Sequence, residues 1–191
     1  MDSQSLASQI IYACWAAWLL YWVIMWHKQK PVTEAQNPTQ RGGYTILLTA
    51  GILLLIYGYR LPRVGVRVLP DSIVVAAAAV LLAILGVGIT IWARRVLADN
   101  WSADVSFKQD QQLVTSGPYA ITRHPIYTGL TLLFLGTATL QGTWAGFKGL
   151  ALAFISFQIK LGQEERLMLL HYGDAYTSYQ KRTRRIIPFL Y

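Results

Sequence analysis

Charge is scarce in this chain and cysteine is nearly absent. Only 14% of the 191 residues are charged while 54% are hydrophobic, a balance that excludes an ordinary soluble domain and suits a polytopic membrane protein. The one cysteine, Cys14, lies inside the first apolar run, so no disulfide framework or thiolate metal site is available, and the residue reads as a small buried hydrophobe. There is no phosphate-cradling Walker loop, no Gly-x-Gly-x-x-Gly after a strand and no His-Glu-x-x-His pair. Serine is scarce at turns that would form a nucleophile elbow, and the absence of βαβ alternation excludes a soluble Rossmann-type enzyme. No metal site is expected. Acidic residues are few, 9 against 17 Lys and Arg, for a net charge of +8. The basic residues sit in short segments between apolar runs and form no long stripe, so no nucleic-acid partner is expected. Membrane topology and contact with anionic lipids account for them.

What the chain does have is long apolar runs. A membrane-spanning helix needs about 20 mostly apolar residues. Candidates run from Ala7 to Trp26, Tyr44 to Tyr59, and Ile73 to Trp92, the last almost unbroken Val, Ala, Leu and Ile. A polar segment from Arg94 to His124 follows. A shorter run covers Ile126 to Leu140, and a fifth extends from Trp144 to Leu161, continuing as a more polar helix to Tyr172. The expected architecture is all-α: a single membrane domain over 1–191 with about five spans. Three of these lie in 1–93, and the connecting segment, a helical hairpin and a tail lie in 94–191. No internal repeat or low-complexity tract is visible. The N-terminus lacks a basic region and a convincing cleavage site, so the first run is expected to be retained.

Five spans put the termini on opposite sides. Lys28, Lys30 and Arg41 follow the first span, Arg94, Arg95, Lys108 and Arg123 the third, and Arg166, Lys181, Arg182, Arg184 and Arg185 the fifth. With the N-terminus outside, all three groups face the cytoplasm, as the positive-inside bias prefers; Arg60, Arg63 and Arg67 run against it. Trp15, Trp18, Trp22 and Trp26 recur at helical spacing. Helix packing with an interfacial belt explains that stripe better than a ligand stack.

The polar residues that remain are concentrated. Gly117-Pro118-Tyr119 and Arg123-His124-Pro125-Ile126-Tyr127 stand at the mouth of the fourth run. Pro125 fits the first turn of a helix, and the two prolines are expected to hold Gly117 and His124 extended. Glu164-Glu165 ends the fifth run, with Lys160 one turn earlier in ion-pairing register. Gly173 reads as a helix C-cap, and Tyr176 and Tyr179 lie one turn apart, able to close over a planar ring. An amphipathic helix on anionic headgroups explains the tail equally well. Polar groups at membrane depth are expensive, which makes such a cluster a functional site by default.

Leu113-Val114-x-x-Gly117-Pro118-Tyr119, Arg123-His124-Pro125-x-Tyr127-x-Gly129, Glu164-Glu165, Gly173-x-x-Tyr176-x-x-Tyr179 and Ile187-Pro188 fall in an order and spacing that resembles the isoprenylcysteine carboxyl methyltransferase family and its phospholipid amine methyltransferase relatives. The resemblance covers about Gln111 to Phe189. It implies an integral membrane enzyme that uses S-adenosylmethionine without a Rossmann fold, holding it in a cytoplasmic pocket of the C-terminal hairpin, connecting loop and tail. By position, Gln111, Gln112, Leu113, Val114 and Tyr119 are implied to line the cofactor. His124, Pro125, Ile126 and Tyr127 are implied to hold its methionine end, and Glu164 to contact it from the fifth span. The family's acceptor-positioning arginine is replaced by Lys160, which keeps the charge and loses the bidentate fork. Lys160 and Glu164 are thus the candidate catalytic pair, with Lys160 also holding the substrate.

The implied acceptor is lipophilic, either a prenylated partner or a small molecule reached laterally from the bilayer lipids, with a prenylcysteine carboxylate foremost. A carboxylate acceptor is already ionised and needs no strong base, whereas an amine acceptor would need one, for which His124 or a glutamate is the candidate. Three alternatives stand beside this reading. One is a phospholipid or amine N-methyltransferase of the same superfamily. Another is an NADPH-dependent sterol reductase, whose longer chain and histidine-cysteine tail pattern are absent here. The last is a non-catalytic membrane protein.

Overall fold

In a computed structural model, which describes residues 3–26, 32–35, 38–101, 106–108 and 112–188, each apolar run becomes one helix. These are α1 (Ser3–Ile24), α2 (Pro38–Tyr57), α3 (Ile73–Leu97), α4 (Pro125–Gln141) and α5 (Trp144–Tyr172), followed by a short α6 (Asp174–Arg182) in the tail. Among the described residues the other regular elements are a two-stranded antiparallel ribbon, β1 (Val32–Ala35) with β2 (Ser106–Lys108), and three short 3-10 turns. Among the described residues, α1, a helix over Arg41–Arg60 and one over Ile73–Asn100 are long and apolar enough to cross a membrane. At about 1.5 Å per residue, the 17 residues of α4 fall short of a hydrocarbon core of roughly 30 Å, and the 29 of α5 overshoot it.

Local chemistry sets the helix ends. Ser72 caps α3 by accepting from the Val75 N–H at 3.3 Å, and Thr143 caps α5 by accepting from Gly146 N–H at 3.1 Å. Gly142, at φ +61°, ends α4 one residue before that cap, so α4 and α5 form a tight hairpin. The 64–69 segment braces this turn from below, with Val68 and Leu69 N–H donating to Gly142 O and Ala145 N–H donating to Val64 O.

Small residues bring the helices together. α3 and α4 run antiparallel in close contact, and a Cβ added to Gly129 would lie 2.5 Å from Gly86 O. α2 and α5 cross in the same manner, with a Cβ on Gly149 placed 2.6 Å from Gly51 O. α1 runs parallel to α3, burying Ile11 against Ala79, Ala83, Val87 and Leu133. A second cluster joins α2, α4 and α5 through Leu55, Phe134, Ala138, Ala153 and Phe157. Segments 1–93 and 94–191 therefore pack on one another, α3 on α4 and α2 on α5. The outward faces stay apolar, with Leu19, Leu20, Leu53, Ile56, Val74 and Leu81 all exposed.

This alternation of direction brings the C-terminal ends of α1, α3 and α5 to one end of the bundle, with the N-termini of α2 and α4. The basic groups near Arg94, Arg123, Arg166 and Arg184 gather there, while Arg60, Arg63 and Arg67 lie at the other end. Lys28 and Lys30 fall outside the described residues.

Candidate active site

The 117–129 doorway does not adopt the extended backbone that its prolines suggest. Gly117 sits at φ +60° and His124 at φ −127°, ψ 61°. At His124 the cause is the C-terminal tail, which pairs with this end of the segment. Arg123 N–H donates to Arg184 O at 2.7 Å, and His124 N–H donates to Arg185 O at 3.1 Å. Deeper in, the Thr128 hydroxyl donates to Ile186 O at 2.6 Å. The tail is a strap that fixes the start of α4, and Pro125 occupies the helix's first turn as expected.

On this frame two neighbouring carboxylates divide the polar work. Glu165 Oε1 accepts from Arg123 Nε at 2.8 Å and from His124 Nε2 at 3.2 Å, while Arg185 Nε stands 3.5 Å from Oε2. Burial pushes the Glu165 carboxyl up, but the hydrogen bonds from His124 and Arg123 outweigh it and hold the group down at about 2. Glu164 turns to the other side of His124. It accepts from the Tyr127 hydroxyl at 3.1 Å, with His124 Nδ1 at 3.6 Å and Lys160 Nζ at 3.9 Å. Lys160 Nζ also lies 5.7 Å from the ring centre of Tyr44 and 5.8 Å from that of Tyr127.

These groups open onto a cavity of about 360 Å³, within the range of roughly 300–1,000 Å³ for small-molecule sites. Its polar lining includes Gln112, Arg123, His124, Ser156, Lys160 and Glu164. Tyr119, Tyr127, Tyr176 and Tyr179 add aromatic surface. Burial pushes the phenols of Tyr119, Tyr176 and Tyr179 well above their ordinary range, so they act as neutral donors. Tyr179 donates to Tyr119 O at 2.6 Å, locking α6 onto the doorway, and its ring meets that of Tyr176 edge-on. Toward the bundle interior the lining turns apolar, through Trp18 and Trp22 of α1, Leu48 of α2, and Leu130 and Phe157.

Of the residues picked out from sequence, Gln112, Leu113, Val114, Tyr119, His124, Ile126, Tyr127, Lys160 and Glu164 all line this one cavity. Pro125 is buried at the start of α4 and lies outside the lining, and Gln111 falls outside the described residues. The tryptophan stripe does two jobs. Trp15 packs edge-on against Phe134 in the core, while Trp18, Trp22 and Trp26 border the cavity. Three contributors have no site role read from the sequence. Glu165 orients His124, Tyr44 flanks Lys160, and Arg94, read from sequence as a topology charge, is fully buried. Its guanidinium lies 4.7 Å from the Trp101 ring centre and donates to Met25 O at 3.1 Å, tying the ends of α1 and α3 to a cavity wall.

A family model described as phospholipid methyltransferase matches residues 74–175, more than half of the chain. The protein-S-isoprenylcysteine O-methyltransferase of Schizosaccharomyces pombe is 34% identical over 83 residues, 43% of this chain and 35% of that protein. The Rattus norvegicus protein of the same name is 33% identical over 118 residues, 60% of this chain and 42% of its own length. The cobalt-zinc-cadmium resistance protein CzcN of Cupriavidus metallidurans is 32% identical over 87 residues, 45% of this chain and 40% of that protein. The chain thus matches less than half the length of each of these relatives.

Proposed function

The chain belongs to the phospholipid methyltransferase family and is an integral membrane protein, and from that premise we propose that it is a membrane methyltransferase using S-adenosylmethionine on a lipophilic acceptor, the carboxylate of a prenylated cysteine or a similar molecule. The observation that carries this reading is the single cavity in which Glu164, His124, Tyr127 and Lys160 meet beneath an apolar wall.

The residues present fit the cofactor. An amino-acid end needs an anionic acceptor for its ammonium and cationic or N–H donors for its carboxylate, and Glu164 lies beside Lys160 and His124. Aromatic rings suit an adenine and a sulfonium. When bound, S-adenosylmethionine supplies a methyl group already activated on positively charged sulfur. The chain's own residues then have to align donor and acceptor and keep water out. Glu164 holds the ammonium end, His124 and Tyr127 fix the carboxylate's surroundings, and Gln112, Leu113, Val114 and Tyr119 line the remainder. Lys160 positions the acceptor carboxylate, which needs no base to deprotonate it. Trp18, Trp22 and Leu48 offer apolar surface from α1 and α2, whose main packing partners lie on other helices, so we place lateral access for the lipid tail between those two. In the same reading α4 and α5 are the fourth and fifth spans, and the site end of the bundle faces the cytoplasm.

The test is methyl transfer from radiolabelled S-adenosylmethionine by the purified protein, to N-acetyl-S-farnesylcysteine and, in parallel, to phosphatidylethanolamine. Label on the farnesylcysteine carboxylate is the expected result. Label on the amine lipid alone would move the acceptor to the N-methylating branch of the family, and absence of S-adenosylmethionine binding by calorimetry would overturn the proposal.

A further inference from the structure

Arg123 borders two cavities. Besides the inner one, an outer cleft of about 590 Å³ lies between α5 and the tail, lined by Arg123, Glu165, Arg166, Gln180, Arg184 and Arg185 among others. Four guanidinium groups face one carboxylate there, a formal excess of three positive charges. The carboxylate is already engaged, since Glu165 takes hydrogen bonds from Arg123 and His124. Arg185 donates to Gln158 Oε1 at 3.1 Å. Arg166 and Arg184 remain exposed, with no side-chain hydrogen bond or ion pair to the described residues. Two unpaired guanidinium groups on separate elements, converging on a built cleft, repel one another unless an anion lies between them. The fork of arginine suits the oxygens of a phosphate.

Depth decides the source of that phosphate. Reading α5 as a span that starts at Trp144, about 20 residues at 1.5 Å each cross the hydrocarbon, so the cleft-lining turns from Gly162 to Leu169 stand at headgroup level. Apolar side chains flank the cleft on the same side: Leu169 lines it, and Leu170 beside it is exposed. We propose that the outer cleft binds the phosphate of an anionic lipid headgroup between Arg166 of α5 and Arg184 of the tail. Arg184 O accepts from Arg123 N–H and Arg184 N–H donates to Ile121 O, so the lipid would staple the tail strap across the doorway of the inner site. This inference rests on α5 as a membrane span and does not require methyl transfer.

The experiment uses the full chain in neutral detergent, titrated with phosphatidylglycerol, phosphatidylcholine or inorganic phosphate, read by native mass spectrometry and by the thermal midpoint. Phosphatidylglycerol should be retained in preference to phosphatidylcholine and should raise the midpoint. The R166Q/R184Q variant should lose that affinity by about fivefold for each arginine removed. A K181Q/R182Q variant, which removes the same charge outside the cleft, should keep it. Equal losses in the two variants would reduce the effect to diffuse electrostatics and overturn the site. So would the lack of any preference for phosphatidylglycerol. An equal midpoint shift from inorganic phosphate alone would overturn the lipid as occupant. S-adenosylmethionine binding by R166Q/R184Q, measured in parallel, reports on the inner cavity alone, so its failure is separable from failure of the cleft.

Discussion

His124 and Glu165 are 41 residues apart in sequence and 3.2 Å apart in space, and the same Glu165 oxygen also takes Arg123 Nε at 2.8 Å. The pair holds the start of α4 against the end of α5, which fixes where the other face of His124 points. Glu165 is therefore a positioning residue, and Glu164 is the carboxylate that reaches the cavity. Glu165→Gln removes a buried charge from beside the Arg123 and Arg185 guanidiniums, so the expected outcome is a loss of roughly 1.5–3 kcal/mol in stability together with weaker S-adenosylmethionine binding. Glu164→Gln should weaken that binding with a smaller change in thermal midpoint. Calorimetry and thermal unfolding on both variants check this, and identical behaviour would erase the division of labour.

The depressed Glu165 carboxyl carries a pH signature. Its folded-state value, about 2, lies below the ordinary value of 4.5. Its contribution to stability is therefore complete above about pH 4.5 and is lost as pH falls toward 2. The midpoint difference between the wild-type chain and Glu165→Gln should be flat at neutral pH and shrink across that acidic window. Thermal unfolding of both proteins in detergent from neutral pH downward measures it. A difference that closes already near neutral pH would mean that the ion pair is not what holds the carboxylate.

Much of this arrangement is legible in the chain before folding is considered. Apolar runs gave a helix for each of α1 to α5, with ends up to about six residues off and the polar extension of α5 to Tyr172 included, because a long apolar helix is specified by composition. Gly173 ends α5 as its residue type implies. Gln112, Leu113, Val114, Tyr119, His124, Ile126, Tyr127, Lys160 and Glu164 do share a cavity. What sequence could not supply came from long-range pairing. His124 departs from proline's local preference because the tail's carbonyls fix the start of α4. Arg94 looked like a surface charge because nothing nearby in sequence shows that Trp101 and Met25 O will enclose it.

Close glycine crossings set the spacing of the helices beneath the site. Gly86→Ala would place its Cβ 2.6 Å from Gly129 O and 2.7 Å from Leu133 N, both backbone atoms that cannot rotate aside. Overpacking of this kind destabilises by roughly 1–3 kcal/mol. Gly88→Ala, two residues on, meets nothing within 4 Å and should be neutral or slightly stabilising. Thermal midpoints of the two variants should separate clearly. Equal midpoints would show that α3 and α4 are not in backbone contact at this crossing.

Lys160 stands where the resembling family has arginine, set beside two tyrosine rings and a carboxylate. Its Nζ lies between the Tyr44 and Tyr127 rings and 3.9 Å from Glu164 Oε1. If it holds an acceptor carboxylate, charge is the property that matters, and the longer forked side chain of Lys160→Arg should preserve methyl transfer to N-acetyl-S-farnesylcysteine. Lys160→Met keeps the length and the apolar contact with the rings while removing the charge. It should raise KM for the carboxylate acceptor by roughly tenfold to a hundredfold, the equivalent of one charged hydrogen bond, while leaving S-adenosylmethionine affinity much less changed. Steady-state kinetics with the acceptor varied, beside calorimetry with the donor, separate the two effects. A complete loss in Lys160→Arg would show that the lysine is required for something other than its charge, and an unchanged KM in Lys160→Met would remove it from the acceptor site.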